Sequence, residues 1–250
     1  MPVIVRPRAW ALVPLLLTSC GGVSSLGLGD AGGDATSAPS SLKIGLEGAW
    51  SFDGDGSDHA GKHLDLATTG LHFAAGHFGK GIVFAGDGTP IAQRPIDDLS
   101  LNLATGDFTV SFWIDFAKTG APQFVAMKGY DPGWFVGWAQ TQWAFGPPKP
   151  AGQTFDDPAG TPSTGTFHHV VFERTGDSLE LFVDGASAGK AAGHDGTPSL
   201  DPFQVGGYAP GGVAVSHGMN VVSGTVDDLG IWRRALLPEE RAYLKTHAVP

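Results

Sequence analysis

A single cysteine, Cys20, in 250 residues excludes an intrachain disulfide framework and any thiolate metal cluster. Charge is also scarce: 16% of residues are Asp, Glu, Lys or Arg, and the 15 basic side chains never gather into a run of five. A formal net charge of −10 leaves no cationic surface to neutralise phosphates, which argues against a nucleic-acid partner. Glutamate occurs only at Glu47, Glu173, Glu180, Glu239 and Glu240. No two of these alternate on a strand with a third acid, so the paired carboxylates that glycoside hydrolysis needs, about 5–5.5 Å apart for retention, have no local source. The one Gly-x-Ser-x-Gly match, at 185–189, is followed by no helical pattern, so it lacks the strand-turn-helix setting of a nucleophile elbow. The chain is expected not to be an enzyme.

What is abundant is punctuation. There are 38 glycines and 18 prolines, residues that cost about 1 and about 3 kcal/mol in a helix interior relative to Ala but that short strands need at every corner. A hydrophobic fraction of 42% suffices for one sizeable core. Period-2 alternation is clearest over 107–116, where Phe108, Val110, Phe112, Ile114 and Phe116 share a face and mark a central strand. Further strands are expected at 48–52, 81–85, 123–128, 133–139, 142–145, 166–174, 178–183, 202–205 and 223–232. One helix is expected over 237–244, with Pro238 at its start and Glu239 and Glu240 in its first turn. This is an all-β, antiparallel sandwich with a short C-terminal helix.

The N-terminus reads as an address. Arg6 and Arg8 precede an apolar stretch from Ala9 to Leu17 that is too short to span a bilayer and that ends in Leu17-Thr18-Ser19-Cys20. That ending resembles a bacterial lipobox. The resemblance implies a signal peptide over 1–19, cleavage before Cys20 and lipid attachment at that cysteine, hence a lipid-anchored protein of the cell envelope. Cleavage would remove both arginines and move the formal charge from −10 to −12. Gly21 in place of Asp after the cysteine favours the outer membrane or cell surface in proteobacteria. Residues 20–41 are Gly, Ser, Ala, Thr and Asp with scattered aliphatics, a flexible linker of about 25 Å mean reach.

The folded domain, 42–250, carries a series of motifs in a telling order: Gly48-Ala49-Trp50-Ser51-Phe52-Asp53, Gly79-Lys80-Gly81-Ile82-Val83-Phe84, Gly106-Asp107-Phe108-Thr109-Val110-Ser111-Phe112-Trp113, Leu181-Phe182-Val183-Asp184-Gly185, and Val226-Asp227-Asp228-Leu229-Gly230-Ile231-Trp232 followed by Arg234-Ala235-Leu236. Together they resemble the laminin-G-like, concanavalin A-like jelly roll. The resemblance implies that fold over 45–247 and, for function, a module that recognises carbohydrate or a cell-surface partner. The same fold also serves adhesive domains without a sugar pocket, and hydrolases and lyases. The Gln-x-His strand of its lyases is absent. The Pro- and Gly-rich segment 146–162 is expected to form a rim loop.

Three constellations are candidates for chemistry. His168 and His169 are adjacent, so in a strand they point to opposite faces and cannot share one metal; a packing strand with a hydrogen-bonded histidine is expected. The oxygen-rich segment 53–58 could present Asp53 and Asp58 to calcium, and the resemblance adds that these jelly rolls often hold one calcium near the first strands with an Asp of the Val-Asp-Asp strand, here Asp227. Alternation puts Asp227 on the face of Leu229 and Ile231, aimed at the interior unless the strand is bulged. Finally, Tyr130, Trp134, Trp138 and Trp143 crowd into fourteen residues. If their face is exposed, they are stacking platforms for sugar rings, with Asp131, Gln140 and Gln142 as hydrogen-bonding neighbours. If it is the sheet interface, they are core.

Overall fold

Alternating apolar positions become strands in a computed structural model that describes residues 38–86, 88–96, 99–130, 132–146, 153–155, 160–192, 196–210 and 218–250. The signal segment, Cys20 and nearly all of the linker lie outside the described residues, as does Asp131. The strands are β1 (Leu46–Trp50), β2 (His72–Ala75), β3 (Lys80–Ala85), β4 (Ala92–Gln93), β5 (Phe108–Phe116), β6 (Pro122–Lys128), β7 (Trp134–Ala139), β8 (Trp143–Gly146), β9 (Gln153–Phe155), β10 (His168–Thr175), β11 (Ser178–Val183), β12 (Ala186–Ala192), β13 (Phe203–Val205) and β14 (Ser223–Trp232), followed by helix α1 (Pro238–Leu244). Within the rim segment, Gln153–Phe155 pairs with β8.

Two antiparallel sheets result. One runs β12-β11-β10-β5-β14-β3-β2, with β1 also on β14, and the other runs β4-β13-β6-β7-β8-β9. The central place of β5 follows from its sequence, since Phe108 to Trp113 are buried on both faces and both edges are paired, to β10 and β14. Strand β12, Ala-Ser-Ala-Gly-Lys-Ala-Ala, has little propensity of its own. It is recruited by the preceding Asp184-Gly185 turn, where φ of 51° and 84° gives the primed geometry that matches the twist of a hairpin.

The main core lies between the sheets and is lined by Trp50, Phe84, Phe112, Phe116, Trp143 and Phe172 among others. A second apolar cluster, Leu42, Leu46, Ala49, Trp232, Leu236 and Leu244, seats α1 on the opposite side of the larger sheet. Its order begins earlier than the sequence suggested, because Ser40–Lys43 forms a 3₁₀ turn with Leu42 fully buried. Arg234 holds that turn. It donates to the carbonyls of Ser41 and Ile44 and makes a two-pronged pair, at 2.6 and 2.7 Å, with the fully buried Glu240. Glu240 also caps α1 by accepting from Leu237 N–H at 2.7 Å. Among the described residues no helix is long and apolar enough to cross a membrane.

Candidate functional site

Trp134, Trp138 and Trp143 are not platforms. They are 1%, 1% and 0% exposed and point between the sheets. The physical reason is that β7 and β8 are covered on this face by the larger sheet: Trp143 meets Phe116 at 5.8 Å and Trp138 meets Phe116 at 6.4 Å, while on the same face Trp134 lies parallel to Phe145 of neighbouring β8 at 6.4 Å. Two indoles are also tied internally, Trp134 to the carbonyl of Leu101 at 2.7 Å and Trp138 to that of Thr119 at 2.9 Å. Gln140 and Gln142 sit in the turn after β7, at the far end of that strand from Tyr130.

Tyr130 alone of the four is at the surface, 38% exposed. It belongs to a different aromatic group, on the outer side of the smaller sheet, made by the residues that alternate with the tryptophans. Phe124, Met127, Phe135 and Ala144 form the buried centre of that face. Phe135 lies across β8 only because Gly146 has no side chain; a Cβ there would stand 2.2 Å from the Phe135 ring. Tyr130 stacks on Phe135 at 6.1 Å and on Tyr208 at 5.6 Å, with ring planes 20° and 26° apart, so its ring caps the row at the protein surface. Beside Tyr208, the amide of the buried Gln204 spans the Ala209 backbone, accepting from its N–H and donating to its carbonyl. Tyr208 was missed in the sequence because it lies outside any alternating run.

The acids regroup too. Asp58 does not join Asp227: its carboxylate accepts from the backbone N–H groups of Ala49, Ala60, Lys62 and Leu64 at 3.0–3.2 Å and 2.9 Å, which satisfies it as the organiser of its own loop. Asp53 accepts from Lys80 N–H at 2.8 Å, and Asp227 accepts from Phe78 N–H at 2.9 Å, so these two flank one turn, 76–80, from opposite sides. Asp227 does not face the interior between the sheets. Strand β14 is bulged between Asp227 and Gly230, with Asp228 at φ 48°, so Val226 and Leu229 both point into the core while Asp227 stands on the Trp113 side.

The bulge lies where β14 changes partners on one edge, from β3 at 223–226 to β1 at 229–232. Asp227 and Asp228 therefore occupy a gap in the ladder. They are 0% and 3% exposed, and Asp227 Oδ1 and Asp228 Oδ2 have no hydrogen-bond partner. Burial pushes the Asp227 carboxyl up to about 7, against the pull of the Phe78, His77 and Asp228 backbone N–H groups. Burial and then the Asp227 charge push Asp228 up to about 8. Asp228 is thus the third acid of the group, and the Asp-Asp doublet was its signal. Among the described residues no set of three or more His, Cys, Asp or Glu side chains is placed to hold a metal ion.

A laminin-G-type family profile, described as the concanavalin A-like lectin/glucanases superfamily, matches residues 90–240. The chain belongs to that superfamily. No curated protein sequence matches it. Solved structures share the superfamily's sandwich at low identity. Domain 4 of AbnA, an extracellular arabinanase of Geobacillus stearothermophilus solved with arabinotriose, matches at 19% identity and TM-score 0.62, over 80% of this chain and 98% of that one. The binding domain of Paraclostridial Mosquitocidal Protein 1 matches at 19% identity and TM-score 0.59, and Trypanosoma rangeli sialidase in complex with sialic acid at 17% and 0.57. This chain spans 52% and 32% of those two chains, so the likeness is to one part of each.

Proposed function

We propose that this concanavalin A-like domain is an extracytoplasmic binding module that recognises carbohydrate, held in a bacterial cell envelope by lipid on Cys20. One observation carries the sugar reading: the exposed Tyr130 ring, stacked on Tyr208 and Phe135 at the surface end of a continuous aromatic row. A rigid aromatic face is what the apolar side of a pyranose or furanose ring packs against, and the stacked neighbours fix its orientation in advance. A domain of the same fold solved in complex with arabinotriose supports this choice of ligand class, as does the presence of the fold in a sialidase solved in complex with sialic acid.

Titration of the full chain with arabino-oligosaccharides and sialylated oligosaccharides, chosen as probes, tests the reading. Binding is expected, and Tyr130→Ala is expected to weaken it by about tenfold or more, the equivalent of about 1.4 kcal/mol of lost stacking. Unchanged affinity in that variant, or a blank glycan array with folded wild-type protein, would favour an adhesive domain without a sugar pocket. For the anchor, Cys20→Ser is expected to move the protein from the membrane fraction to the soluble one without unfolding the domain. Several acyl chains at about 0.8 kcal/mol per buried CH₂ hold where one does not. Wild-type protein found in the aqueous phase at the mass of an unmodified chain sinks the anchor.

Calcium fits the β14 bulge better than the segment 53–58. The two orphaned oxygens of Asp227 and Asp228 are what a hard cation would satisfy. Two carboxylates are few for this ion, so backbone carbonyls would supply most of the usual six to eight oxygens. The ion would be structural, closing the break in the ladder between β3 and β1.

A further inference from the structure

The fold assembles a serine, a histidine and an aspartate that no local motif announces. Ser163 Oγ lies 2.9 Å from His168 Nε2, and His168 Nδ1 lies 2.8 Å from Asp184 Oδ2. The two ring nitrogens are therefore engaged in the order that acyl transfer requires, hydroxyl on one side and carboxylate on the other. We propose that Ser163, His168 and Asp184 form a nucleophilic serine centre that hydrolyses small esters, a proposal that stands whether or not the domain binds glycan.

Each group is held by rigid structure. Asp184 is the first residue of the β11–β12 turn, its N–H donates to the carbonyl of His169 at 2.8 Å, and its Oδ1 accepts from His169 N–H at 2.9 Å. The carboxylate is thus fixed to the strand that carries His168, with Oδ2 left for the ring. Ser163 precedes Thr164, which bridges to Phe116 of β5, while Gly165 N–H donates to the Phe116 carbonyl. His168 is 15% exposed and Ser163 lies at the surface, so the pair is shielded on one side and open on the other.

The open side is a cavity of about 210 Å³ lined by Thr161, Pro162, Ser163, His168, Val183 and Asp184. That is below the roughly 300–1,000 Å³ of a drug-sized ligand site and suits a short acyl group. In the reaction, Ser163 Oγ attacks the ester carbonyl carbon as its proton passes to His168 Nε2. The carbon to alkoxy oxygen bond breaks, and the leaving alkoxide takes that proton as the alcohol. Water then attacks the acyl-Ser163 carbonyl, giving its proton to His168. The bond from the acyl carbon to Oγ breaks, Ser163 recovers the proton, and the carboxylic acid departs. Asp184 is a positioning residue that keeps the Nδ1 proton turned toward itself.

The full chain, incubated with a fluorophosphonate probe and with p-nitrophenyl acetate, tests the centre. Stoichiometric labelling that maps to Ser163 is expected, with ester turnover that exceeds p-nitrophenyl decanoate turnover by more than tenfold. Ser163→Ala removes one exposed hydroxyl, so the fold survives, and turnover is expected to fall at least a thousandfold; His168→Ala is expected to abolish labelling. Asp184→Asn is expected to lower kcat with KM unchanged, which a loop-pinning role would not do. An unlabelled Ser163 in natively folded protein, labelling that persists in His168→Ala, or wild-type turnover in Ser163→Ala would each overturn the assignment.

Discussion

Replacing Trp143 with Ala is expected to lower the unfolding free energy by about 3–5 kcal/mol, which for a domain of this size moves the melting temperature down by roughly 6–20 °C. The indole is 0% exposed and is enclosed by Phe112, Phe116, Trp138 and Phe172 at ring separations of 5.5–6.4 Å, so truncation leaves a cavity that both sheets border. Trp143→Phe should be far cheaper. The Trp143 indole N–H is buried without a partner, so Phe removes an unsatisfied donor along with the lost volume. The same change at Trp134 or Trp138 strips a donor from the carbonyl of Leu101 or Thr119 and should cost more. Chemical denaturation of the four variants checks the order; equal costs for the three Phe variants would mean that the indole hydrogen bonds contribute nothing.

The second large effect is a pH dependence that calcium should reverse. In chelator, the folded state holds protons on Asp227 and Asp228 that the unfolded chain releases above about pH 4, because their folded values stand near 7 and 8. Their contribution is therefore full at low pH and is lost as pH rises toward 8, on the order of 4 kcal/mol for Asp227 alone and not additive across the pair. His169 works the other way. Burial lowers it to about 4, so folding gains stability between about pH 4 and its usual 6.5 and nothing above that. Below 6.5 the single His169 offsets about one of the two carboxyl protons, so the net loss begins near pH 4 and is steepest between about 6.5 and 7, where both acids titrate unopposed. Calcium, which binds the ionised pair, should restore stability there by about 2.7 kcal/mol at a hundredfold excess over its Kd, and magnesium much less. Asp227→Asn should be more stable than wild type at pH 8 in chelator and should lose most of the calcium response. A melting temperature flat from pH 6.5 to 8 in chelator, together with no calcium effect, removes both the buried charge and the ion.

How far the sequence could carry these conclusions depended on whether a local rule governed each residue. Alternation put Phe108, Val110, Phe112, Ile114 and Phe116 on one face and gave Trp134 and Trp138 a common one, because side-chain period is a property of any strand. Which face is interior is a property of the other sheet, and alternation is silent on that. A clue did exist, since Phe135 and Ala144 between the tryptophans are also apolar and mark strands covered on both faces. Asp227 was misplaced by one local event, the left-handed Asp228, which resets the phase of β14. Aspartate tolerates that conformation without glycine's warning. Ser163, His168 and Asp184 come together through two hairpins and a bridge to β5, and no spacing within one strand encodes such a meeting.

The clasp at the start of the domain has a mechanical consequence. A pull on the chain at residue 38 runs at once into the 3₁₀ turn, whose carbonyls are gripped by Trp232 at Leu42 and by Arg234 at Ser41 and Ile44. Those three bonds share the load side by side. They pass it to β14, which is paired to β1, β3 and β5, so tension spreads over the larger sheet instead of peeling a single edge strand. A domain tugged from its N-terminal end is thereby gripped at its most heavily paired strand, and the smaller sheet, with the tyrosine row on its outer face, stays outside the path of force.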